Sequence, residues 1–196
     1  MKTTRDYVLL FNHVFPEDLC RKLTDIFEGL DAEKKQAIKT DLDDLLTANI
    51  IDHHEFEPYR ATIMKGFRIA TNEFYKRTCQ AQIQNMQDFE IHDTFETPVI
   101  ERFEQGVGRH DCHCDNTTIH VCRREITVRL YLNTVAEGGE TKFIMDTEEA
   151  VEVKPQIGSV LCFPSNFLFP HMETVPISET KYVMTSHILL PNISII

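Results

Sequence analysis

"EITVRLYLNTVAEGGETKFIM", residues 125–145, reads as a strand, a glycine turn and a second strand. β-Branched and aromatic residues crowd the first run and recur in the second, and Glu137-Gly138-Gly139 leaves no room for a helix between them. The texture extends both ways. "FEIHD" (89–93) and "PVIERFE" (98–104) precede the stretch, and "AVEVK" (150–154), "SVLCF" (159–163) and "KYVMTSHILL" (181–190) follow it. Turn-formers at "KPQIG" (154–158) and "FPSN" (163–166) separate these runs. Short strands at close spacing, with no helical pattern between them, predict an all-β sandwich or barrel from about residue 86 onward.

The N-terminal part has another texture. "YVLLF" (7–11) reads as a short opening strand, and "PEDLCRKLTDIFEGL" (16–30) carries a helical apolar stripe at 19, 23, 26, 27 and 30. Pro16 stands where a first-turn proline is tolerated. "AEKKQAIKTDLDDLLTANI" (32–50) and "YRATIMKGFRIATNEFYKRTCQAQI" (59–83) continue the helical reading. The expected fold is mainly β with a helical N-terminal part (α+β): residues 1–85 form a helical support region packed on a β-core of residues 86–196, the two making one structural unit.

Composition narrows the function classes. The 196 residues are 42% hydrophobic and 26% charged, ordinary for a globular domain with a core. A formal net charge of −11 repels a phosphate backbone, so nucleic acid is not expected as a partner. An acidic surface suits a neutral or basic substrate. No run approaches the roughly 20 apolar residues of a membrane span, and the apolar start, broken by Asn12 and His13, does not read as a secretory signal. Six scattered cysteines in a chain of this size argue against a disulfide framework, so a reducing, cytoplasmic setting is expected.

The densest chemistry lies in "RHDCHCDN" (109–116). On a strand, His113 and Asp115 (i, i+2) share a face and would meet one ion, while Cys112 and Cys114 would point away. A zinc reading would instead draw on Cys112, Cys114 and Cys122 with His110, His113 or His120, but these spacings are tighter than the usual paired-ligand knuckle. An iron(II) oxygenase site needs two histidines and a carboxylate on one side of the metal. The leading third ligand is His171, in "FPHMETVPISETKYV" (169–183). Ten positions on stands Lys181. Buried in a β-core, it would need an anionic partner, which a dicarboxylate cosubstrate would supply.

These elements together resemble the 2-oxoglutarate- and iron(II)-dependent dioxygenases, prolyl 4-hydroxylase-like group. His113-x-Asp115, "RLYLN" (129–133), "GGETKF" (138–143), "KPQIGSVLCF" (154–163), His171 and "KY" (181–182) follow the family order over residues 95–192. The resemblance implies a double-stranded β-helix, or jelly roll, flanked by helices. It implies iron at His113, Asp115 and His171, with the distal carboxylate of 2-oxoglutarate at Lys181, Tyr131 and Thr141. It also implies O2 as oxidant, ascorbate as a reductant, and hydroxylation of a C–H bond with release of succinate and carbon dioxide. Asp115 favours hydroxylation over halogenation, because related halogenases lack this carboxylate. A prolyl residue in a peptide or protein is the first substrate expectation. The rivals are a free amino acid or other small molecule and, from another class, a non-catalytic structural zinc or binding module. The chain departs from the family at Phe103 and His110, often tyrosines, and at His187, commonly tryptophan, of which the chain has none.

Overall fold

The computed structural model describes residues 2–39, 44–86, 91–144 and 150–191. Eleven strands form two antiparallel sheets among these residues. The larger sheet contains β1 (Leu9–Phe11), β2 (Gln36–Lys39), β3 (Asp44–Asn49), β4 (Val99–Phe103), β6 (Arg124–Tyr131), β9 (Val160–Pro164) and β11 (Lys181–Leu189), ordered β1-β9-β6-β11-β4-β3-β2. The smaller contains β5 (His110–His113), β7 (Thr141–Phe143), β8 (Val151–Val153) and β10 (His171–Glu173), ordered β5-β10-β7-β8. Sequential strands that alternate between two facing sheets are what a jelly roll requires.

Strand β6 shows why the sheets pack as they do. Val128 and Leu130 join the core under the helices, while Tyr131 joins the core between the sheets with Phe103, Phe143, Leu161, Phe163 and Val183. A strand covered on both faces reads as a continuous β-prone run, which is why residues 125–133 were legible. On one outer face lie α1 (Glu17–Gly29) and α2 (Glu57–Thr78), with the short α3 (Gln80–Asn85) after a break at Cys79. Cys20, Leu23 and Phe27 on α1, and Ile63, Phe67, Ala70 and Phe74 on α2, bury against that face.

Phe15 joins the N-terminal segment to the β-core. Its ring meets Phe67 edge-on, with centroids 5.8 Å apart, and lies so close to Gly66 that a Cβ there would fall 2.1 Å from it. Its amide donates to the Gly158 carbonyl at 3.0 Å. Gly158 has φ +77° and would set a Cβ 2.3 Å from the Phe15 carbonyl oxygen, so glycine is required twice over.

Three expectations change. The helix expected over 32–50 is not found among its described residues: after a short 3-10 turn at Ala32–Lys34, β2 pairs with β3, and β3 pairs with β4 from Leu45↔Phe103 to Asn49↔Val99, while 40–43 lie outside the described residues. Residues 1–85 thus contribute three strands to the large sheet as well as helices. In "FEIHD", 89–90 lie outside the described residues and 91–93 are irregular, with an isolated bridge at Phe95↔Ile188.

Candidate metal centre

Strand pairing in the small sheet brings the two histidines together. His171, the first residue of β10, is the register partner of His113, the last of β5, and their ring centroids are 4.5 Å apart. Asp115 arrives differently from the expectation. β5 ends at His113, so Asp115 sits in the following turn and strand alternation does not orient it. Thr127 on β6 orients it instead: its hydroxyl donates to Asp115 Oδ2 at 2.5 Å and is itself linked to Ser165 at 2.9 Å. Asp115 Oδ1 lies 3.3 Å from His113 Nε2, and Oδ2 lies 3.7 Å from His171 Nε2. One ligand atom from each of the three residues lies within 4.8 Å of the others, and among the described residues this is the one such cluster of His, Cys, Asp or Glu.

The tautomers suit coordination. His113 Nδ1 lies 2.7 Å from the Asp111 carbonyl and His171 Nδ1 lies 3.2 Å from the Phe169 carbonyl. A carbonyl only accepts, so each Nδ1 carries a hydrogen and leaves Nε2 as the coordinating nitrogen. His171 Nε2 is buried with no hydrogen-bond partner. Burial, outweighing the pull of Asp115, pushes its imidazole down to about 3, so it is neutral at neutral pH. Burial would raise the Asp115 carboxyl, but the neighbouring His113 and His187 rings and the field of His171 hold it well below the usual carboxylate range. Burial would lower the His113 imidazole, but its contacts with Asp115 and the Asp111 carbonyl raise it above the ordinary value, so a metal would displace its Nε2 proton. Two imidazole nitrogens and one carboxylate are then a donor set suited to Fe(II). Phe143 and Phe163 pack against His171, with centroids 5.7 and 4.8 Å away, and close its inner side to water.

His113 and Asp115 of the cluster line a cavity of about 630 Å³ whose walls also include His110, Arg129, Thr185, His187, Asp52 and Glu101. Sequence reasoning had left His187 without a role. Its Nδ1 is 2.7 Å from Glu96 Oε2, Arg124 Nε donates to the same oxygen at 2.8 Å, and its Nε2 lies 3.8 Å from Asp115 Oδ2. His110, also unassigned from sequence, stacks on His113 with centroids 3.9 Å apart. Cys112 and Cys122 are exposed, and Cys114 lines the cavity; all three are free thiols and none belongs to the cluster.

Lys181, Tyr131 and Thr141 are all fully buried and meet deeper between the sheets. Tyr131 Oη and Thr141 Oγ1 are 2.8 Å apart, and Lys181 Nζ donates to the Gly139 carbonyl at 2.7 Å and lies 5.1 Å from the Phe103 ring centroid. Lys181 already meets an anion from within the chain. Glu173, fully buried on β10, receives a hydrogen bond from Lys181 Nζ and another from Arg129 Nη1, and Thr141 Oγ1 lies 3.1 and 3.0 Å from its two carboxylate oxygens. Burial and the Arg129 charge press the Lys181 ammonium well below the usual lysine range, and the Glu101 and Glu140 carboxylates oppose them. Neither Glu173 nor Arg129 was singled out from sequence. The signal was an arginine inside the apolar run "ITVRLYL", two residues before Tyr131, and a glutamate two residues after His171.

Comparison with known proteins agrees with this geometry. The sequence model of the 2OG-Fe(II) oxygenase superfamily matches residues 99–189. A prolyl-4-hydroxylase from Pseudomonas putida superposes with a TM-score of 0.68 at 17% identity, covering 95% of this chain and 94% of that one. A prolyl hydroxylase from Trichoplax adhaerens, solved with a hypoxia inducible factor oxygen degradation domain peptide fragment, gives 0.67 at 17% identity over 94% and 84% of the two chains. The viral collagen prolyl hydroxylase of Paramecium Bursaria Chlorella virus-1, as its 2OG complex, gives 0.55 at 16% identity over 95% and 97%. At these identities the superpositions establish the prolyl 4-hydroxylase-like fold. No curated protein sequence gives a significant match. No helix among the described residues is long and apolar enough to cross a membrane.

Proposed function

We propose that this chain, a 2-oxoglutarate-dependent dioxygenase of the 2OG-Fe(II) oxygenase superfamily, hydroxylates a prolyl residue within a peptide or protein, with succinate and carbon dioxide as the other products. The superfamily works with Fe(II), 2-oxoglutarate and O2. The observation that carries the reading is the convergence of His113, Asp115 and His171 beside a cavity that His113 and Asp115 line. In this reading they are the iron ligands, and three protein ligands on one side leave the other positions free.

When bound, iron and the 2-oxo acid supply the oxidising chemistry. The chain's residues orient and enclose it. The carbonyls of Asp111 and Phe169 fix the ring planes of the two histidines. Thr127 fixes Asp115, which keeps Oδ1 turned toward His113. Phe143 and Phe163 exclude water behind His171. Glu96, held by Arg124, sets His187 on the cavity wall beside Asp115. Outer-shell contacts of this kind tune ligand basicity and water access.

A peptide substrate is favoured by the acidic side chains on the cavity wall, Asp52 and Glu101 among them, which suit a neutral or basic segment. The Trichoplax relative holds a peptide, and the expectation is carried over from it. The test is incubation of the Fe(II)-loaded protein with 2-oxoglutarate, O2 and a proline-containing peptide library. The expected result is a gain of one oxygen on proline, matched by succinate. Succinate formation with oxygen gained only by free amino acids or other small molecules would overturn the prolyl assignment and leave the oxygenase in place.

A further inference from the structure

A second, smaller cavity of about 170 Å³ adjoins the metal cavity, walled by the apolar side chains Ile50, Ile51, Met64, Phe95 and Pro98. We propose that this niche seats an apolar side chain of the peptide substrate, a few residues from the one that is oxidised, and so selects which prolyl residues the enzyme accepts. The inference deepens the peptide reading above and rests on it.

The two cavities share a wall. Glu96 and Thr97 line both, and Asp52 lines the metal cavity while its chain neighbour Ile51 lines the niche. A peptide passing from one to the other crosses only the ridge at 96–97, and an extended chain advances about 3.3 Å per residue. The ridge is held in place. The Glu96 amide donates to the His187 carbonyl at 2.8 Å, and its carboxylate accepts from Arg124 at 2.8 Å.

The niche itself is built before any ligand arrives. The Ile50 amide donates to the Pro98 carbonyl at 3.1 Å, which ties the chain after β3 to the chain before β4. Arg60, on α2, donates from Nε to the Ile50 carbonyl at 3.2 Å and from Nη2 to the Ile51 and His53 carbonyls at 2.8 and 3.2 Å. Its guanidinium thus holds this turn instead of calling for an acidic ligand. Phe95 stacks on Phe67 with centroids 6.3 Å apart. Ile50 is buried, Met64 and Phe95 are half-buried, and Ile51 on the rim is 55% exposed. A single exposed isoleucine is ordinary, but this one borders a concave apolar wall. An apolar cavity of about 150 Å³ takes a benzene-sized group, so the niche suits one aliphatic or aromatic side chain. Burying such a side chain is worth about 10-fold or more in affinity.

The test is fluorescence polarisation of labelled proline-containing peptides on the protein loaded with Mn(II) and 2-oxoglutarate. Leucine or serine is placed in turn at each position on either side of the proline, and KM and kcat are then measured for the same peptides with Fe(II). Leucine at one flanking position should bind about 10-fold or more tighter than serine, with the gain in KM and not in kcat. Ile51→Ser strips the rim and Met64→Trp fills the niche. Each should abolish most of the leucine preference while the serine peptides bind within a few-fold of the parent. Thermal melts and Mn(II) affinity confirm that both variants are folded. A leucine preference that survives both variants, or no preference at any position, would overturn the niche and leave the prolyl reading standing. Peptides that neither bind nor gain oxygen would sink the peptide reading and the niche with it. Dimerisation of the parent by light scattering, abolished by Ile51→Ser, would give the niche to a second copy of the chain and overturn the proposal.

Discussion

Arg129 and Lys181 reach one carboxylate from two different strands, and that carboxylate, Glu173, belongs to a third. Strands β6, β11 and β10 are thereby tied across the gap between the two sheets by charge as well as by apolar packing. Such a cluster is tolerable only while it is complete, since a buried ion left alone keeps its full desolvation cost.

Glu173→Ala should therefore be severely destabilising, leaving two cations beside each other in a dry core. Breaking a buried pair by deleting one partner costs about 3–5 kcal/mol. For a chain of this size that corresponds to a fall in Tm of roughly 6–20 °C. The triple variant Lys181→Met, Glu173→Leu, Arg129→Met should lose much less, because well-packed apolar replacement of a whole buried ion cluster is often neutral. Thermal melts of the metal-free proteins compare the three, and equal losses in both variants would show that shape rather than charge governs the cluster.

Removing the hydroxyl that holds Asp115 tests how the metal centre is built. Thr127→Val keeps the volume of the side chain and deletes its hydrogen bond to Oδ2. Fe(II) or Mn(II) affinity should fall by about 10–100-fold, the usual cost of losing an outer-shell partner. Asp115→Asn, which removes the ligand charge itself, should fall further. Anaerobic metal titration reads both, and a Thr127→Val protein that binds metal like the parent would mean that the Asp115 turn is held by its backbone.

The thiols beside the site should be dispensable for metal. Cys112 is exposed and Cys114 lies on the cavity wall, and neither contributes to the His113, Asp115 and His171 cluster. Replacing both with serine should leave Mn(II) content within a few-fold of the parent by elemental analysis. Loss of metal there would revive a thiolate-based zinc site.

What the sequence discloses and what it withholds divide along physical lines. The strands at 98–104, 125–133, 159–163 and 181–190 are legible because burial on two faces demands unbroken β-prone runs. His113, Asp115 and His171 stand out because ligand chemistry restricts the residue types. The β2–β3 hairpin is hidden. Its charged sequence has a helix-compatible spacing, and only pairing with β4, distant in sequence, makes it a strand. Glu173 is hidden for a related reason. A glutamate between Met172 and Thr174 reads as solvated until the fold brings Arg129 and Lys181 to it. Asp115 shows a different case: strand alternation was expected to set it beside His113, whereas a turn and Thr127 do the orienting.

Glu96 links the cavity wall to acid stability. Burial alone would raise its carboxyl, but hydrogen bonds from His187 and Arg124 and their charges outweigh that and hold it at about 2, against an ordinary value of 4.5. A folded-state value below the unfolded one means that the unfolded chain binds the extra proton as pH falls. The contribution of Glu96 to stability is thus fully present above about pH 5 and drains away between there and pH 2. In Glu96→Gln the amide cannot ionise, so this component of the acid-dependent loss should vanish. The variant should start less stable than the parent at pH 7 and converge on it as the pH approaches 2. Denaturant unfolding at stepped pH measures both curves. Parallel curves would show that the contacts of Glu96 with Arg124 and His187 do not depend on its charge.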